Sequence, residues 1–568
     1  MTAGTTRSVV VEFDVPAAMR DGTVLRSDVY QPAAAGRYPV LLARTCYGKG
    51  TWGRWIDPER TAAEGYVVVL NDTRGVFASD GEFDPFTTDG PDGYDMIEWC
   101  AAQPWANGRV GMFGSSAPGF VQLQAAAERP PHLTAIAPMQ TWTAHGRGCA
   151  YDAGGAFSLY TQEWALLLVT LDPGRRIGAG RSDFAERHQA VAEARAAIGR
   201  WHSHLPIGEF PPLSRSEAPW LYGWLDHPDH DAWWANRDIT DAVPRLDLPG
   251  LHLVGWYDRF CRSTVANYAA MREGGAPQKL VIGPWPHGVP VQVASGDRFF
   301  GPRASVDARD LVLRWYDRWL RDERNGIDEE PPVRLYILGA DAWRNADAWP
   351  LPGTRFTTFH LRSGGGARTR HGDGALVEEQ PSADEPADEF VYDPSDPTPS
   401  VPGRLARPFG SVDQGSIEDR PDVLVYSTSP LAGDVDVIGP IEARIWAGSS
   451  APDTDWFVKL VDVAPDGRAD RIAEGMIRAR YRDSHAQPSL LEPGRVHEYR
   501  IELGPVGARF RAGHRIRVEV ASASFPQFDR NMNTGGPLGV ETSGVPARQH
   551  LFHDAERPSH LILPIVPA

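Results

Sequence analysis

The stretch "RVGMFGSSAPGFVQLQAAA", residues 109–127, decides the fold. "RVGMF" has the apolar character of a short buried strand, and "FVQLQAAA" contains good helix formers. Between them, "GSSAPG" supplies the small residues of a tight turn. A serine at such a strand–turn–helix junction fits a nucleophile elbow, in which the turn lifts the hydroxyl clear of the sheet. The stretch therefore predicts an α/β-hydrolase.

Two serines occupy this turn, and their neighbours distinguish them. Ser116 has Gly114 two residues before it and Gly119 three residues after it, whereas Ser115 has the bulky Phe113 two residues before it. Because the strained turn needs small neighbours, Ser116 is the predicted nucleophile. Ser115 is the small residue that precedes it.

A serine nucleophile needs a base and an orienting acid, in the chain order Ser, acid, His for this fold. Asp258 ends the predicted strand "LPGLHLVGWYD" (248–258), and His287 follows the next one in "LVIGPWPHG" (280–288). Because α/β sheets place catalytic groups at the carboxyl ends of their strands, we expect Ser116, Asp258 and His287 to meet there.

The chain divides into segments of different pattern. Short β-rich runs alternate with helical ones up to residue 144 and again over 241–352, which indicates a mainly parallel sheet. Residues 145–240 lose the strand signal and predict a helical cap over that sheet. From residue 353 to 568, short alternating strands such as "HEYRIELG" predict a β-sandwich or jelly roll. The predicted fold is an α/β-hydrolase domain with a helical cap insertion and a C-terminal all-β jelly-roll domain.

"GMFGSSAPG", "GWYDRF" and "GPWPHG" are similar to the three catalytic motifs of the cocaine-esterase family, which is related to α-amino-acid ester hydrolases and X-Pro dipeptidyl-peptidases. The likeness extends to "MRDGTVLRSDVYQP", "NDTRGVFASDGEF", "DTDWFVKLVDVAPDGR" and "FPQFDRNMNTGG", and so covers essentially the whole chain. The resemblance implies the same three-part architecture. It also implies Ser116 as nucleophile, His287 as general base and acid, Asp258 as orienting carboxylate, and a mechanism without a cofactor.

The resemblance implies an oxyanion hole made by one backbone N–H, from Ala117, and one tyrosine hydroxyl. The matching tyrosine is Tyr47 in "LLARTCYGKG". Members of the family usually carry Gly-x-Ser-Tyr-x-Gly, whereas this chain has Ala117-Pro118 after the serine. Alanine keeps its N–H, and Pro118 removes a donor only from the first helical turn, where N–H groups lack intrahelical partners. We therefore expect the oxyanion hole to function.

The acyl pocket is expected to differ from that of the family. A tryptophan early in the family's cap lines the acyl group, but the run "RGCAYDAGGAF" (147–157) puts Ala150 near that position. The loop "RLARPFGSV" (404–412) also diverges from the apolar loop expected there. Benzoyl specificity is therefore not carried over. The candidate lining residues are Trp142, Ala150, Tyr151, Trp164 and Phe260.

Other functions remain open to different degrees. An acyltransferase would use the same triad and acyl-enzyme, and a peptidase or amidase of the X-Pro or amino-acid ester type is a further alternative. A non-catalytic binding protein on a hydrolase scaffold is disfavoured by the intact triad. A metal enzyme would rest on His-rich stretches of the cap, where His227 and Asp231 are four residues apart, but no recognised ligand motif is present. No metal is predicted.

The composition limits the partners and the compartment. A formal net charge of −17 argues against nucleic acid, and the apolar runs are too short to span a membrane. The four cysteines lack disulfide or metal spacing, and no secretion signal is recognised, so a cytoplasmic location is predicted. The cysteines are Cys46, Cys100, Cys149 and Cys261. The expected partner is a small ester or amide substrate, with homo-oligomerisation left open.

Overall fold

The computed structural model describes residues 8–288, 292–401 and 410–567. Its first part consists of strands β1 (Val9–Ala18), β2 (Val24–Pro32), β3 (Tyr38–Thr45), β4 (Val67–Asp72), β5 (Ala106–Ser115) and β6 (Leu133–Met139), with helices α1 (Pro58–Ala63), α2 (Asp89–Ala102) and α3 (Ala117–Ala127). The helices α4 (Tyr160–Leu171), α5 (Phe184–Ala196), α6 (Ile198–His202) and α7 (Pro219–Asp226) follow. The chain then forms β7 (Gly250–Tyr257), α8 (Cys261–Glu273), β8 (Gln278–Pro286), β9 (Ala294–Ser295), β10 (Arg298–Phe299), α9 (Ala308–Arg321), β11 (Val333–Ile337) and β12 (Ala342–Ala346).

Within the described residues, ten of these strands form one sheet in the order β1-β2-β4-β3-β5-β6-β7-β8-β11-β12. The strands from β4 to β11 in this order pair in parallel. The antiparallel pairs β1–β2, β2–β4 and β11–β12 complete the two edges. The sequence patterns identified strands β3 to β8 and did not identify β1, β2, β12 or the parallel strand β11. The helices α4 to α7 enter between β6 and β7, where the cap was predicted.

Both faces of the sheet are buried, which explains why its central strands are almost continuously apolar. All six residues of β4 are buried. Successive side chains along a strand point to opposite faces, so Val68 packs with residues of α9, whereas Val67 packs with residues of α2 and α3. Residues that directly follow β3, β5 and β7, including Tyr47, Ser116 and Asp258, are buried as well.

The turn after β5 has a conformation that few residues adopt. Ser116 has φ 67° and ψ −127°. A side chain on Gly114 would bring its Cβ within 2.5 Å of Pro118 Cβ, and one on Gly119 would lie 2.8 Å from the carbonyl oxygen of Met139. Such a backbone costs about 1–3 kcal/mol and persists only where its surroundings fix it. The turn therefore has the strained geometry expected of a nucleophile elbow, and its two flanking glycines are required sterically.

The remaining strands belong to an all-β unit. They are β13 (Arg355–Arg362), β14 (Ala375–Val377), β15 (Asp388–Tyr392), β16 (Leu424–Ser427), β17 (Val435–Ser449), β18 (Asp455–Val463), β19 (Ala469–Arg478), β20 (His497–Phe510), β21 (Arg515–Ala521), β22 (Ala547–Phe552) and β23 (His560–Val566), with the short helix α10 (Gly415–Glu418) before β16. They pair in the order β15-β22-β17-β23-β13-β14-β16-β21-β18-β19, and β20 pairs with β17. The jelly-roll topology and the boundaries at residues 144, 240 and 352 remain predictions; each boundary falls in a connection between elements.

Among the described residues, no helix combines the length and apolar character needed to cross a membrane.

A buried charge cluster joins the all-β unit to the loop that precedes α4. Arg478 forms two hydrogen bonds of 2.9 Å with Asp455 and bonds of 3.0 and 3.1 Å with Asp529. Asp529 in turn accepts a hydrogen bond from the backbone N–H of Phe157 at 2.6 Å, and the N–H of Arg478 donates to the carbonyl oxygen of Gly154 at 2.9 Å. The cluster therefore links the loop before α4 to the all-β unit, called here the third domain. Removing one member would leave a buried charge unpaired.

The steric requirement at the elbow leads to the first prediction. Gly114→Ala should lower the free energy of unfolding by at least about 2 kcal/mol, because it combines an unfavourable φ of 152° with the clash against Pro118. Gly199→Ala in α6 is the control, since its added Cβ meets no atom within 4 Å. Urea unfolding measures both variants, and equal stabilities would contradict the steric account.

Candidate active site

The residues predicted for catalysis lie at the carboxyl ends of neighbouring strands. Tyr47 follows β3, Ser116 follows β5, Asp258 follows β7 and His287 follows β8. These strands lie close together in the parallel part of the sheet, separated only by β6 between β5 and β7. The fold therefore brings side chains that are up to 240 residues apart, Tyr47 and His287, to one edge of the sheet.

Asp258 and His287 form a hydrogen-bonded pair. The distance from His287 Nδ1 to Asp258 Oδ2 is 2.9 Å, and the Asp258 carboxylate is fully buried. Its second oxygen, Oδ1, accepts a hydrogen bond of 2.7 Å from the backbone N–H of Phe260. An Nδ1–H that donates to a carboxylate leaves Nε2 of a neutral imidazole as a proton acceptor. The pair can thus serve as an oriented general base.

Ser116 lines a small cavity, called here the Ser116 cavity, whose walls are mainly aromatic. The ring of Phe260 belongs to this wall and also packs edge-on against the His287 ring, with the centroids 5.3 Å apart. Ser116 and His287 therefore share a neighbour, while His287 itself lines a second cavity together with Ser115 and Gln140. The other lining residues are Phe86, Trp142, His145, Cys149, Tyr160, Thr161, Trp164, Trp224 and Arg259.

The five predicted pocket residues separate into two groups. Trp142, Trp164 and Phe260 line the Ser116 cavity. Ala150 is fully buried in the hydrophobic core of the cap and is not among the described residues that line the cavity. Tyr151 lines an adjoining cavity. The diverging loop 404–412 lies outside the described residues from 404 to 409.

Tyr47 is held as a neutral hydrogen-bond donor near Ser116. Burial raises the pKa of Tyr47 well above its ordinary value, although the neighbouring Trp164 and Ser116 act in the opposite direction. The indole N–H of Trp164 donates to the Tyr47 hydroxyl oxygen at 2.8 Å. Because that oxygen accepts from Trp164, its own O–H proton is available to another acceptor. Trp164, predicted as a wall of the pocket, therefore also orients Tyr47.

The second predicted oxyanion donor has the expected environment. Ala117 is the first residue of α3, and Pro118 follows within its first turn. An N–H at that position has no intrahelical acceptor. The backbone N–H of Ala117 is consequently available, and the proline removes no donor that the helix would have used.

Sequence reasoning missed Gln140, which contacts the loop of the base. Its Oε1 accepts from the Ser115 hydroxyl at 2.7 Å and from the backbone N–H of Gly288 at 3.3 Å, and its Nε2 donates to the carbonyl oxygen of Pro286 at 3.3 Å. These bonds bracket His287 on both sides. Gln140 directly follows β6 in "MQTW", where no local sequence signal reveals this contact.

The residues considered for a metal have other partners. His227 Nδ1 lies 2.8 Å from Asp231 Oδ2, and the His227 ring stacks on Trp233 with the centroids 4.6 Å apart. In the part of the chain that the structure describes, no three His, Cys, Asp or Glu side chains come together in a way that could hold a metal ion.

Two family models match the chain. "X-Pro dipeptidyl-peptidase (S15 family)" matches residues 21–289, and "X-Pro dipeptidyl-peptidase C-terminal non-catalytic domain" matches residues 325–562. The cocaine esterase of Rhodococcus sp. (strain MB1 Bresler) is 39% identical over 570 residues, which cover 98% of each chain.

Solved structures extend this similarity to the fold. An aminopeptidase from a marine-sediment Thaumarchaeota archaeon superposes with a TM-score of 0.81 and 25% identity, covering 100% of this chain and 98% of that one. An α-amino acid ester hydrolase superposes with a TM-score of 0.80 at the same identity and coverage. These neighbours confirm the predicted fold class. The chain belongs to the cocaine esterase-like (CocE/NonD) family of α/β-hydrolases.

Proposed function

We propose that the protein is a serine hydrolase that cleaves a carboxylic ester through an acyl-enzyme. The observation that carries this proposal is the 2.9 Å hydrogen bond between Asp258 and His287, at the same sheet edge as the strained elbow of Ser116. The enzyme class is supported by two relatives, whose names describe a cocaine esterase and an α-amino acid ester hydrolase.

The acylation step uses the triad and the two oxyanion donors. His287 Nε2 takes the proton of Ser116 as the serine oxygen attacks the ester carbonyl, and Asp258 stabilises the imidazolium that forms. The carbonyl oxygen becomes an oxyanion that accepts hydrogen bonds from the Ala117 N–H and the Tyr47 hydroxyl. A phenol that burial keeps protonated is suited to this role, because only the neutral form donates.

Acylation ends when the imidazolium gives its proton to the departing alcohol and the bond between the carbonyl carbon and the alcohol oxygen breaks, which leaves the acyl-enzyme. Deacylation repeats these steps with water. His287 then takes a proton from a water molecule, which attacks the same carbonyl. The bond between the carbonyl carbon and Ser116 Oγ breaks, the imidazolium returns its proton to Oγ, and the acid is released. Every proton moves through His287, so the proposed cycle requires no cofactor.

Two alternatives use the same residues. An acyltransferase would pass the acyl group to an amine or alcohol, and a peptidase of the X-Pro type, after which the matching family model is named, would cleave an amide. A panel of alkyl esters, amino-acid esters and X-Pro amides, each with and without an added amine, distinguishes the three. Ester hydrolysis should dominate, whereas preferential transfer to the amine at low concentration would favour the acyltransferase.

We further propose a cytoplasmic location, supported by the free thiols of Cys46, Cys100 and Cys149. Homo-oligomerisation stays open and can be measured by sedimentation.

The choice between the two serines can be tested with a serine-directed fluorophosphonate. The wild-type protein should be labelled, Ser116→Ala should abolish the labelling and Ser115→Ala should retain it, because only Ser116 has the elbow backbone. Mass spectrometry of the labelled peptide identifies the site. Labelling that depends on Ser115, or an unlabelled wild-type protein, would contradict the proposal.

The role of Tyr47 can be tested together with Trp164. Tyr47→Phe should lower kcat about 10²–10³-fold, as expected for the loss of one oxyanion donor. Trp164→Phe should lower kcat up to about tenfold, because it removes the hydrogen bond that orients the phenol. If Trp164 acts through Tyr47, Trp164→Phe should have almost no effect on kcat in a Tyr47→Phe background. If the two substitutions instead lower kcat independently, so that their effects multiply, Trp164 acts only as a wall of the pocket.

The bracket around His287 predicts an effect on turnover. Gln140→Met preserves much of the side-chain volume but removes the bonds to Pro286 and Gly288, so kcat should fall about tenfold with KM nearly unchanged. Ser115→Ala should have a smaller effect, because it leaves those two bonds in place. Steady-state kinetics of both variants provide the measurement. An unchanged kcat in Gln140→Met would show that the loop holds its position without Gln140.

A further inference from the structure

A guanidinium lines the Ser116 cavity. Arg259 donates from Nη2 to the carbonyl oxygen of Cys149 at 2.6 Å and to the Ser158 hydroxyl at 3.2 Å. It lies against two aromatic rings, 4.6 Å from the centroid of Tyr160 and 4.7 Å from that of Phe260. These contacts hold the side chain at the wall of the cavity while leaving its charge without a counter-ion.

No carboxylate neutralises this charge in residues 8–288, 292–401 and 410–567, where no ion pair includes Arg259. Two carboxylates, Asp152 and Glu474, line an adjoining cavity together with Arg259. Glu474 is bonded to Arg471 at 3.2 Å and to Gln527 at 2.8 Å, and Asp152 lies 3.9 Å from Arg262. A half-buried cation with only neutral partners has lost hydration without gaining a counter-ion. The Ser116 cavity is therefore suited to an anionic ligand.

Other walls of the cavity also offer unused donors. The side-chain nitrogens of Trp142, His145 and Trp224 are buried and have no hydrogen-bond partner among the described residues. Burial and the nearby charges of Arg237 and Arg259 lower the pKa of His145 well below its usual range, so the ring is neutral and can donate from one nitrogen. The described lining residues of the cavity include neither aspartate nor glutamate. Within the described lining, no anionic side chain therefore opposes the charge of Arg259.

We propose that the acyl group of the substrate carries a carboxylate that Arg259 binds, so that the enzyme hydrolyses hemiesters of short dicarboxylic acids. This inference rests on the proposed function, since it concerns the acyl half of the ester that Ser116 attacks. The bonds to Cys149 and Ser158 use only Nη2, so the Nη1 protons of the guanidinium are available for a charge-assisted hydrogen bond to a carboxylate. The same charge repels the ammonium group of an amino-acid ester or of an X-Pro peptide.

Three ethyl esters of similar length test the charge preference. Monoethyl succinate is anionic, ethyl levulinate is its neutral keto analogue, and ethyl 4-aminobutyrate is cationic. Each kcat/KM is divided by the rate constant for hydrolysis of the same ester by hydroxide, which removes differences in intrinsic reactivity. The corrected value for monoethyl succinate should exceed that for ethyl levulinate at least tenfold, and ethyl 4-aminobutyrate should give the lowest value.

Substitutions identify the residue responsible. Arg259→Met should abolish the preference, so that the corrected kcat/KM values for monoethyl succinate and ethyl levulinate become equal within about threefold. Arg259→Lys should retain part of the preference. Arg272→Met is the matched control, because Arg272 lies in the last turn of α8 and donates to the Tyr268 hydroxyl at 3.0 Å and to the carbonyl oxygen of Asp347 at 3.3 Å. This control should keep the full preference.

The outcomes separate this inference from the proposed function. Equal corrected rates for monoethyl succinate and ethyl levulinate would overturn the inference and leave the esterase intact. A preference for ethyl 4-aminobutyrate would also overturn it, as would a preference that survives Arg259→Met. Should Arg259→Met fail to fold, the wild-type panel and Arg259→Lys still decide. A protein that neither hydrolyses esters nor is labelled at Ser116 would overturn the proposed function itself.

Discussion

The left-handed backbone of Ser116 is the constraint on which the rest of the site depends. It is possible only because Gly114 and Gly119 leave space for the chain to turn back against Pro118 and Met139. The same turn begins α3 and so leaves the Ala117 N–H unbonded within the helix. A single strained residue thus orients the predicted nucleophile and one predicted oxyanion donor together, and the scaffold must offset the cost of about 1–3 kcal/mol.

The elbow and the parallel strands could be predicted because both are local. An elbow requires small residues at fixed offsets from the serine, and a strand buried on both faces is nearly continuously apolar, as in β4. The antiparallel strand β1 was not predicted, because it alternates irregularly between exposed and half-buried positions and its pairing with β2 shifts register between Glu12 and Val15. The pairing of β1 is determined by β2, the strand at the sheet edge that it covers, and not by a pattern within β1 itself.

Much of the pocket could not be predicted, because the reach and direction of long side chains depend on tertiary packing. Ala150 and Tyr151 are close in sequence to the cavity-lining Cys149, yet they lie in the cap core and beside an adjoining cavity. Arg259 directly follows the predicted triad acid, but only the structure shows that its guanidinium enters the Ser116 cavity. Gln140 was missed for the same reason, since its partners are 25 to 148 residues away in sequence.

The charge cluster around Arg478 limits how this polypeptide can be divided. A shorter protein ending near residue 352 would retain the strands that carry the proposed triad, but the backbone groups of Gly154 and Phe157 would lose their partners in the third domain. The loop leading into α4, and with it Tyr160 and Trp164, would no longer be anchored. Loss or exchange of the third domain during evolution would therefore change the Ser116 cavity itself. We expect the α/β domain, the cap and the third domain to be inherited as one unit.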